Sequence, residues 1–257
     1  MLLYRFGSEG FFAVGESADD ARVLYSDPLE TAPSAWRLGR RVDLSLEPLR
    51  APWAPGKIVC VGRNYREHAA ELGNPMPPEP VLFLKAPSAV VGPLAPILLP
   101  PESERVEHEG EIAVVLGARL SRGADADEAA RAVLGVTAAN DVTARDLQRR
   151  DPTFARAKSF DTFCPLGPAI AIAPDLERLR VETRVNGELR QRGEASEMAW
   201  GIVDLLLYAS RMMTLEAGDL LLAGTPAGVG PLVDGDRVEV EVSGVGTLAN
   251  PVEALLP

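Results

Sequence analysis

The stretch EHEGEIAVVLG (residues 107–117) decides how the chain is read. Its second half, Ile112 to Leu116, is an uninterrupted apolar run of strand length, the pattern of a strand covered on both faces. Extended backbone puts residues two apart on one face, so Glu109 and Glu111 project together at the head of that strand. Two adjacent carboxylates leading into a core repel each other and lose hydration, a cost that a cation between them removes. A solvated strand end is the competing reading of the same residues. The helical zinc motif HExxH is ruled out, because Ile112 stands where its second histidine would be.

Outward from this strand the chain reads as many short strands and few helices. Strands are expected at Ile58 to Gly62, Val81 to Leu84, Pro168 to Ala173, Asp219 to Ala223, Arg237 to Val242 and Val245 to Leu248. Arg180 to Arg192 reads as a hairpin turning at Asn186-Gly187, a pair suited to a type I′ turn. Helices are expected at Asn64 to Leu72, stopped by Gly73, at Asp127 to Leu134, stopped by Gly135, and at Glu197 to Met213. NPMPPEP (74–80) cannot be regular structure. No regular strand–helix alternation is present, which argues against a doubly wound sheet and for a mixed α/β, β-rich fold. Residues 1–52, closed by the proline-rich connector PLRAPWAPG (48–56), read as a small N-terminal subdomain.

Composition narrows the function. The 257 residues carry a net charge of −11, which opposes binding to a phosphate backbone, so no nucleic-acid partner is expected. No apolar run is long enough to span a membrane, and MLLYRFGSEG does not read as a secretion signal. Cys60 and Cys164 read as buried free thiols in a reducing compartment, and a cytoplasmic location is expected. Lysine is scarce: Lys57, Lys85 and Lys158 stand against 23 arginines, a hint that an ammonium group is needed where one is kept.

Four further blocks could carry chemistry. In ANDVTARDLQ (139–148), Asp141 ends an apolar run, and a helix starting there would align it with Arg145 and Gln148. A helix N-cap is the plainer reading of that aspartate. In KSFDTFCPLG (158–167) a lysine enters an aromatic stretch, where it would be partly desolvated or would snorkel to the surface. In GRNYREHAAE (62–71), His68 and Glu71 share a helix face, so the carboxylate can orient the imidazole. GTPAGVG (224–230) lacks the GK[ST] ending of a phosphate loop, but a glycine-rich turn at Gly224-Thr225 can offer N–H groups and a hydroxyl to a carboxylate.

In order and wording, GRNYREHAAE, FLKAPSAVVG, HEGEIAVVLG, NDVTARDLQ, KSFDTFCPLGP, VNGE and LLAGTPAGVG resemble the fumarylacetoacetate hydrolase family, in its short bacterial type, over residues 57–257. The resemblance implies a catalytic β-roll over that range and a homodimer. It implies Glu109, Glu111 and Asp141 as metal ligands, and His68, Glu71 and Lys158 as catalytic groups. It also implies Arg145, Gln148, Gly224 and Thr225 as substrate contacts. Three carboxylates without cysteine or histidine suit a hard ion, Mg²⁺ or Mn²⁺. Against one dication they leave a single negative charge for Lys158 to balance.

The implied activity is cleavage of a C–C bond in a small 2-keto or 1,3-diketo acid. His68 would activate water, and the metal would stabilise the enolate that leaves. The same enolate also serves isomerisation of hydroxymuconate-type diacids and decarboxylation of oxaloacetate. Hydrolysis is the first expectation, because the His–Glu pair is present. A binding protein of the same fold without catalysis is the alternative from another class.

Overall fold

The computed structural model describes residues 1–255 and is β-rich, with about 40% strand and 17% helix. An 11-stranded sheet forms its centre, ten of the strands in unbroken order. From one edge these are Leu38–Val42, Ala21–Leu24, Phe11–Gly15, Leu2–Phe6, Cys164–Ile172, Val133–Asn140, Gly110–Leu116, Leu220–Leu222, Ile58–Gly62 and Val81–Lys85. Neighbours along this path are antiparallel except Leu220–Leu222 and Ile58–Gly62, which run parallel. A five-stranded sheet holds the hairpin Arg180–Val185 and Glu188–Glu194 next to Arg237–Val242, Gly246–Ala254 and Ile97–Leu99. Three short strands, Thr143–Ala144, Val106–His108 and Gly230–Pro231, make a third sheet.

The apolar runs of the central strands follow from their burial on both faces. Ile58, Cys60, Ala113, Val115, Leu220 and Leu222 enter one core cluster. Their alternates Val59, Val61, Ile112, Val114, Leu221 and Ala223 enter another, under the helix Ile202–Ser210. Each Val, Leu and Ile among them contributes roughly 1.5–3 kcal/mol by leaving water. Residues 1–52 add four strands to the main sheet through pairing of Leu2 and Leu3 with Ala171 and Ile170. They also keep a small core of their own around Tyr4, Phe6, Val23 and Leu44.

The hairpin turns at Asn186 (φ 53°) and Gly187 (φ 82°), as the Asn-Gly pair requires. Several expected boundaries move. The helix expected over 127–134 spans Ala126–Arg131, because Val133 and Leu134 already belong to the following strand. A capping box between Asp125 and Glu128 fixes its start. The long helix expected over 197–213 is reduced to Ile202–Ser210, because Trp200 hydrogen-bonds Asn64 in place of continuing a helix. The 64–72 helix is Arg66–Glu71, and the strand expected at 168–173 is Cys164–Ile172. No helix among the described residues is long and apolar enough to cross a membrane. Cys60 and Cys164 are free and buried, and burial pushes the Cys164 thiol up to about 12.

Candidate metal centre

The strand Gly110–Leu116 pairs with Val133–Asn140, with Gly110 opposite Asn140. Just beyond that last pair, the Asp141 N–H donates to the Glu109 carbonyl (2.8 Å), and the Glu109 N–H donates to Asn140 Oδ1 (2.9 Å). Two neighbouring strand ends therefore deliver Glu109, Glu111 and Asp141 to one place. One ligand oxygen from each lies within 4.8 Å of the others, and all three residues are buried. Gly110, between the two glutamates, has no room for a side chain: a Cβ there would lie 1.9 Å from Thr183 Oγ1 of the second sheet.

Fixed cations meet part of this charge. Lys158 Nζ donates to Glu109 Oε2 (2.7 Å) and Asp141 Oδ2 (2.6 Å) and lies 5.0 Å from the Phe83 ring centre. It is 2% exposed, which removes the snorkelling reading. Arg145 bonds Glu109 and donates through Nε to Glu107 Oε2 (2.7 Å). Burial alone would raise the Glu109 carboxyl, but the Lys158 and Arg145 cations hold it well below the usual carboxylate range. Burial likewise opposes charge on Lys158, and Asp141 and Glu109 outweigh it, so its ammonium stays charged.

Glu111 differs. Its carboxylate accepts the Gly224 N–H (2.7 Å), and burial together with Asp141 and Glu109 raises its pKa well above the ordinary value. A buried carboxylate pushed toward protonation by two others is a donor set short of a cation, and three carboxylate oxygens suit a hard dication. The residues present fit such an ion.

His68 and Glu71 lie on Arg66–Glu71, three residues apart. Nδ1 of His68 is 3.5 Å from Glu71 Oε2, and among the described residues it has no hydrogen-bond partner. Both Glu71 oxygens instead accept the Gly228 N–H at 3.1 Å. Burial lowers the His68 pKa, so the imidazole is neutral near pH 7. A cavity of about 280 Å³ is lined by the three carboxylates and by His68, Arg145, Gln148, Lys158 and Thr225.

Asp141 is not an N-cap. The helix it was expected to open is Arg145–Arg150, capped at Ala144 without a side-chain bond, so only Arg145 and Gln148 share that helix. The carboxylate goes to Lys158 and to Lys85, whose Nζ donates to Asp141 Oδ1 (2.7 Å) and to the Val142 carbonyl (3.3 Å). Sequence reasoning missed Lys85 and Glu107 as members of the site. The scarcity of lysine was the signal for Lys85: all three lysines of the chain pair with an aspartate, two of them here.

Residues 57–253 match the family described as fumarylacetoacetate (FAA) hydrolase C-terminal. The chain belongs to this family. A crystal structure of a 5-carboxymethyl-2-hydroxymuconate delta-isomerase from Mycobacterium smegmatis is 41% identical to it, with a TM-score of 0.88 over 99% of this chain and 100% of that one. A fumarylacetoacetate hydrolase from Exiguobacterium antarcticum is 39% identical, with a TM-score of 0.84 over 99% and 100%. An oxaloacetate tautomerase of Bacillus subtilis is 43% identical over 211 residues, 76% of this chain and 69% of its own length. Family members are thus enzymes that isomerise, tautomerise or hydrolyse.

Proposed function

We propose that this protein is a divalent-metal-dependent isomerase that moves a proton between carbon and oxygen in a small 2-oxo dicarboxylic acid, with keto–enol tautomerisation of an oxaloacetate-like diacid as its simplest form. The observation that carries the reading is Glu111, a buried carboxylate beside two others with no cationic side chain of its own. Charge balance supports it. Four buried carboxylates, Glu107, Glu109, Glu111 and Asp141, face three buried cations, Lys85, Arg145 and Lys158, leaving one negative charge. A dication reverses the sign to plus one, which the carboxylate of a 2-oxo acid then neutralises.

Glu109, Glu111 and Asp141 would hold Mg²⁺ or Mn²⁺, which supplies Lewis acidity that acidifies the C–H beside the 2-oxo group. The neutral His68 imidazole accepts that proton at Nε2, the ring nitrogen away from Glu71. The C–H electron pair becomes the C=C bond, and the imidazolium returns the proton to the enol oxygen. Arg145 and Lys158 hold Glu109 in place, and Lys158 also holds Asp141. Arg63 and Arg149 also line the cavity, and neither is ion-paired among the described residues, which suits a second carboxylate at its mouth. Arg63 has φ 59°, a conformation uncommon for a residue with a side chain.

Hydrolysis, the first expectation from sequence, is less well supported. The relatives at 41% and 43% identity named above are an isomerase and a tautomerase, and Glu71, 3.5 Å from His68 Nδ1, shares its oxygens with the Gly228 N–H. Assembly as a homodimer is part of the proposal and is checked by sedimentation. The deciding assay follows ultraviolet absorbance of enol-oxaloacetate, a hydroxymuconate-type diacid and acetylpyruvate, with Mg²⁺ or EDTA. Metal-dependent isomerisation of a diacid is expected, and His68→Ala should lower it about 10²–10⁴-fold without changing Mn²⁺ affinity. Acetylpyruvate cleavage as the dominant activity would refute the reading.

A further inference from the structure

Gln191 lies on the outer hairpin strand Glu188–Glu194, yet its side chain is buried at the back of the site and makes four hydrogen bonds. Oε1 accepts from the Gly110 N–H (3.0 Å) and from His108 Nδ1 (3.0 Å). Nε2 donates to Thr225 Oγ1 (2.7 Å) and to the Pro226 carbonyl (2.8 Å). The amide orientation is fixed by its partners, since a main-chain N–H needs the oxygen and a carbonyl needs the NH₂. The Thr225 hydroxyl then donates to the Gly110 carbonyl (2.9 Å). Gly110 is thus held through both its N–H and its C=O, and it sits between the two glutamates of the metal centre.

We infer that Gln191 is a positioning residue: it ties the Glu109–Glu111 segment to the 224–228 loop and so sets where the loop presents its N–H to the substrate carboxylate. The donors available there are restricted by the same network. The Gly224 N–H is used on Glu111, and the Thr225 hydroxyl is used on Gly110. The Thr225 main-chain N–H donates to no other group among the described residues, and Thr225 lines the cavity. That N–H, and not the hydroxyl, is the donor that receives the carboxylate. Gly110 is paired with Asn140 on the neighbouring strand, and Glu109 is bonded to Asn140 and Asp141, whereas 224–228 is loop, so loss of the tie displaces the loop and spares the metal ligands. The consequence for turnover rests on the proposed function. The tie itself does not.

The test compares Gln191→Met, which removes all four bonds at similar volume, with Gln191→Glu, which keeps the acceptor and loses the donor. In Gln191→Met, amide hydrogen exchange at Gly110, Gly224 and Gly228 should accelerate at least about tenfold, while Val114 and Leu221 stay protected. In Gln191→Glu, only the loop amides should accelerate. For both variants KM for oxaloacetate should rise at least about fivefold with kcat within about twofold, the signature of lost uniform binding, and Mn²⁺ affinity should hold within about threefold. Unchanged loop exchange in a folded variant overturns the tie. A kcat loss as large as the loss in kcat/KM, or unaltered KM, overturns the positioning role. Should Gln191→Met fail to fold, Gln191→Glu carries both readouts. If the wild type does not turn over oxaloacetate, the proposed function fails, and hydrogen exchange still decides the tie.

Discussion

The two sides of the metal centre differ more than their spacing on one strand suggests. Around Glu109, Lys158 and Arg145 supply two buried cations, and the carboxyl is held low. Around Glu111, two residues on, a single main-chain N–H is the partner, and the carboxyl is driven up. The first side is complete within the protein. The second has no cationic side chain paired to it among the described residues, which makes Glu111 the place where an added cation would have its largest effect.

The strongest way to break this contrast is Glu111→Gln. Losing a ligand's supporting partner typically costs 10–100-fold in metal affinity, so losing the ligand itself should weaken Mn²⁺ binding more than about a hundredfold, read by calorimetry. In the metal-free protein the two glutamates should then behave oppositely. Glu109→Gln strips Lys158 and Arg145 of a buried partner and should cost about 3–5 kcal/mol in chemical denaturation. Glu111→Gln removes a buried carboxyl whose ionisation is opposed by burial and by two neighbouring carboxylates, and should raise the melting temperature, the more so as pH rises. A lower melting temperature for metal-free Glu111→Gln would count against the assignment.

A pH series sharpens the same point. The Glu111 pKa is raised in the folded state, so its contribution is favourable below the unfolded value and is lost as pH rises through the folded one. The metal-free protein should therefore lose stability on that account as pH increases, and Mg²⁺ should reverse the trend. For His68 the folded pKa is lowered, so kcat/KM should fall with acid only below the ordinary imidazole range. An acid limb at or above 6.5 would contradict a buried neutral base. The smallest effect is expected for Glu71→Gln, about tenfold or less in kcat, because that carboxylate is held by Gly228.

The sequence was most legible where chemistry is local. Strand periodicity put Glu109 and Glu111 on one face, and Asn186-Gly187 specified its turn, because both depend on neighbours along the chain. The composition of 197–213 is helical throughout, and what delays the start of the helix to Ile202 is the bond of Trp200 to Asn64, 136 residues away. Lys85, Glu107 and Gln191 escaped for the same reason. Their partners lie 56 residues off for Lys85, 38 for Glu107, and 81 and 34 for Gln191. Residue type alone cannot show such long-range pairing. The family resemblance supplied the candidate ligand set, and the His68–Glu71 pair put hydrolysis first, where isomerisation is better supported by the named relatives.

The one parallel pair on the sheet's main path has an architectural consequence. Ile58–Gly62 and Leu220–Leu222 point the same way, so the segments leaving them, 63–73 and 224–228, emerge on a common rim. Asn64 clasps the Ala223 carbonyl there at 2.7 Å. His68, the base of the proposed reaction, and Arg63 thus arrive on one continuous stretch that contributes none of the three carboxylates. If the proposed function holds, a chimera exchanging only residues 63–80 should retune what is accepted and where the proton goes, with the three candidate ligands inherited intact.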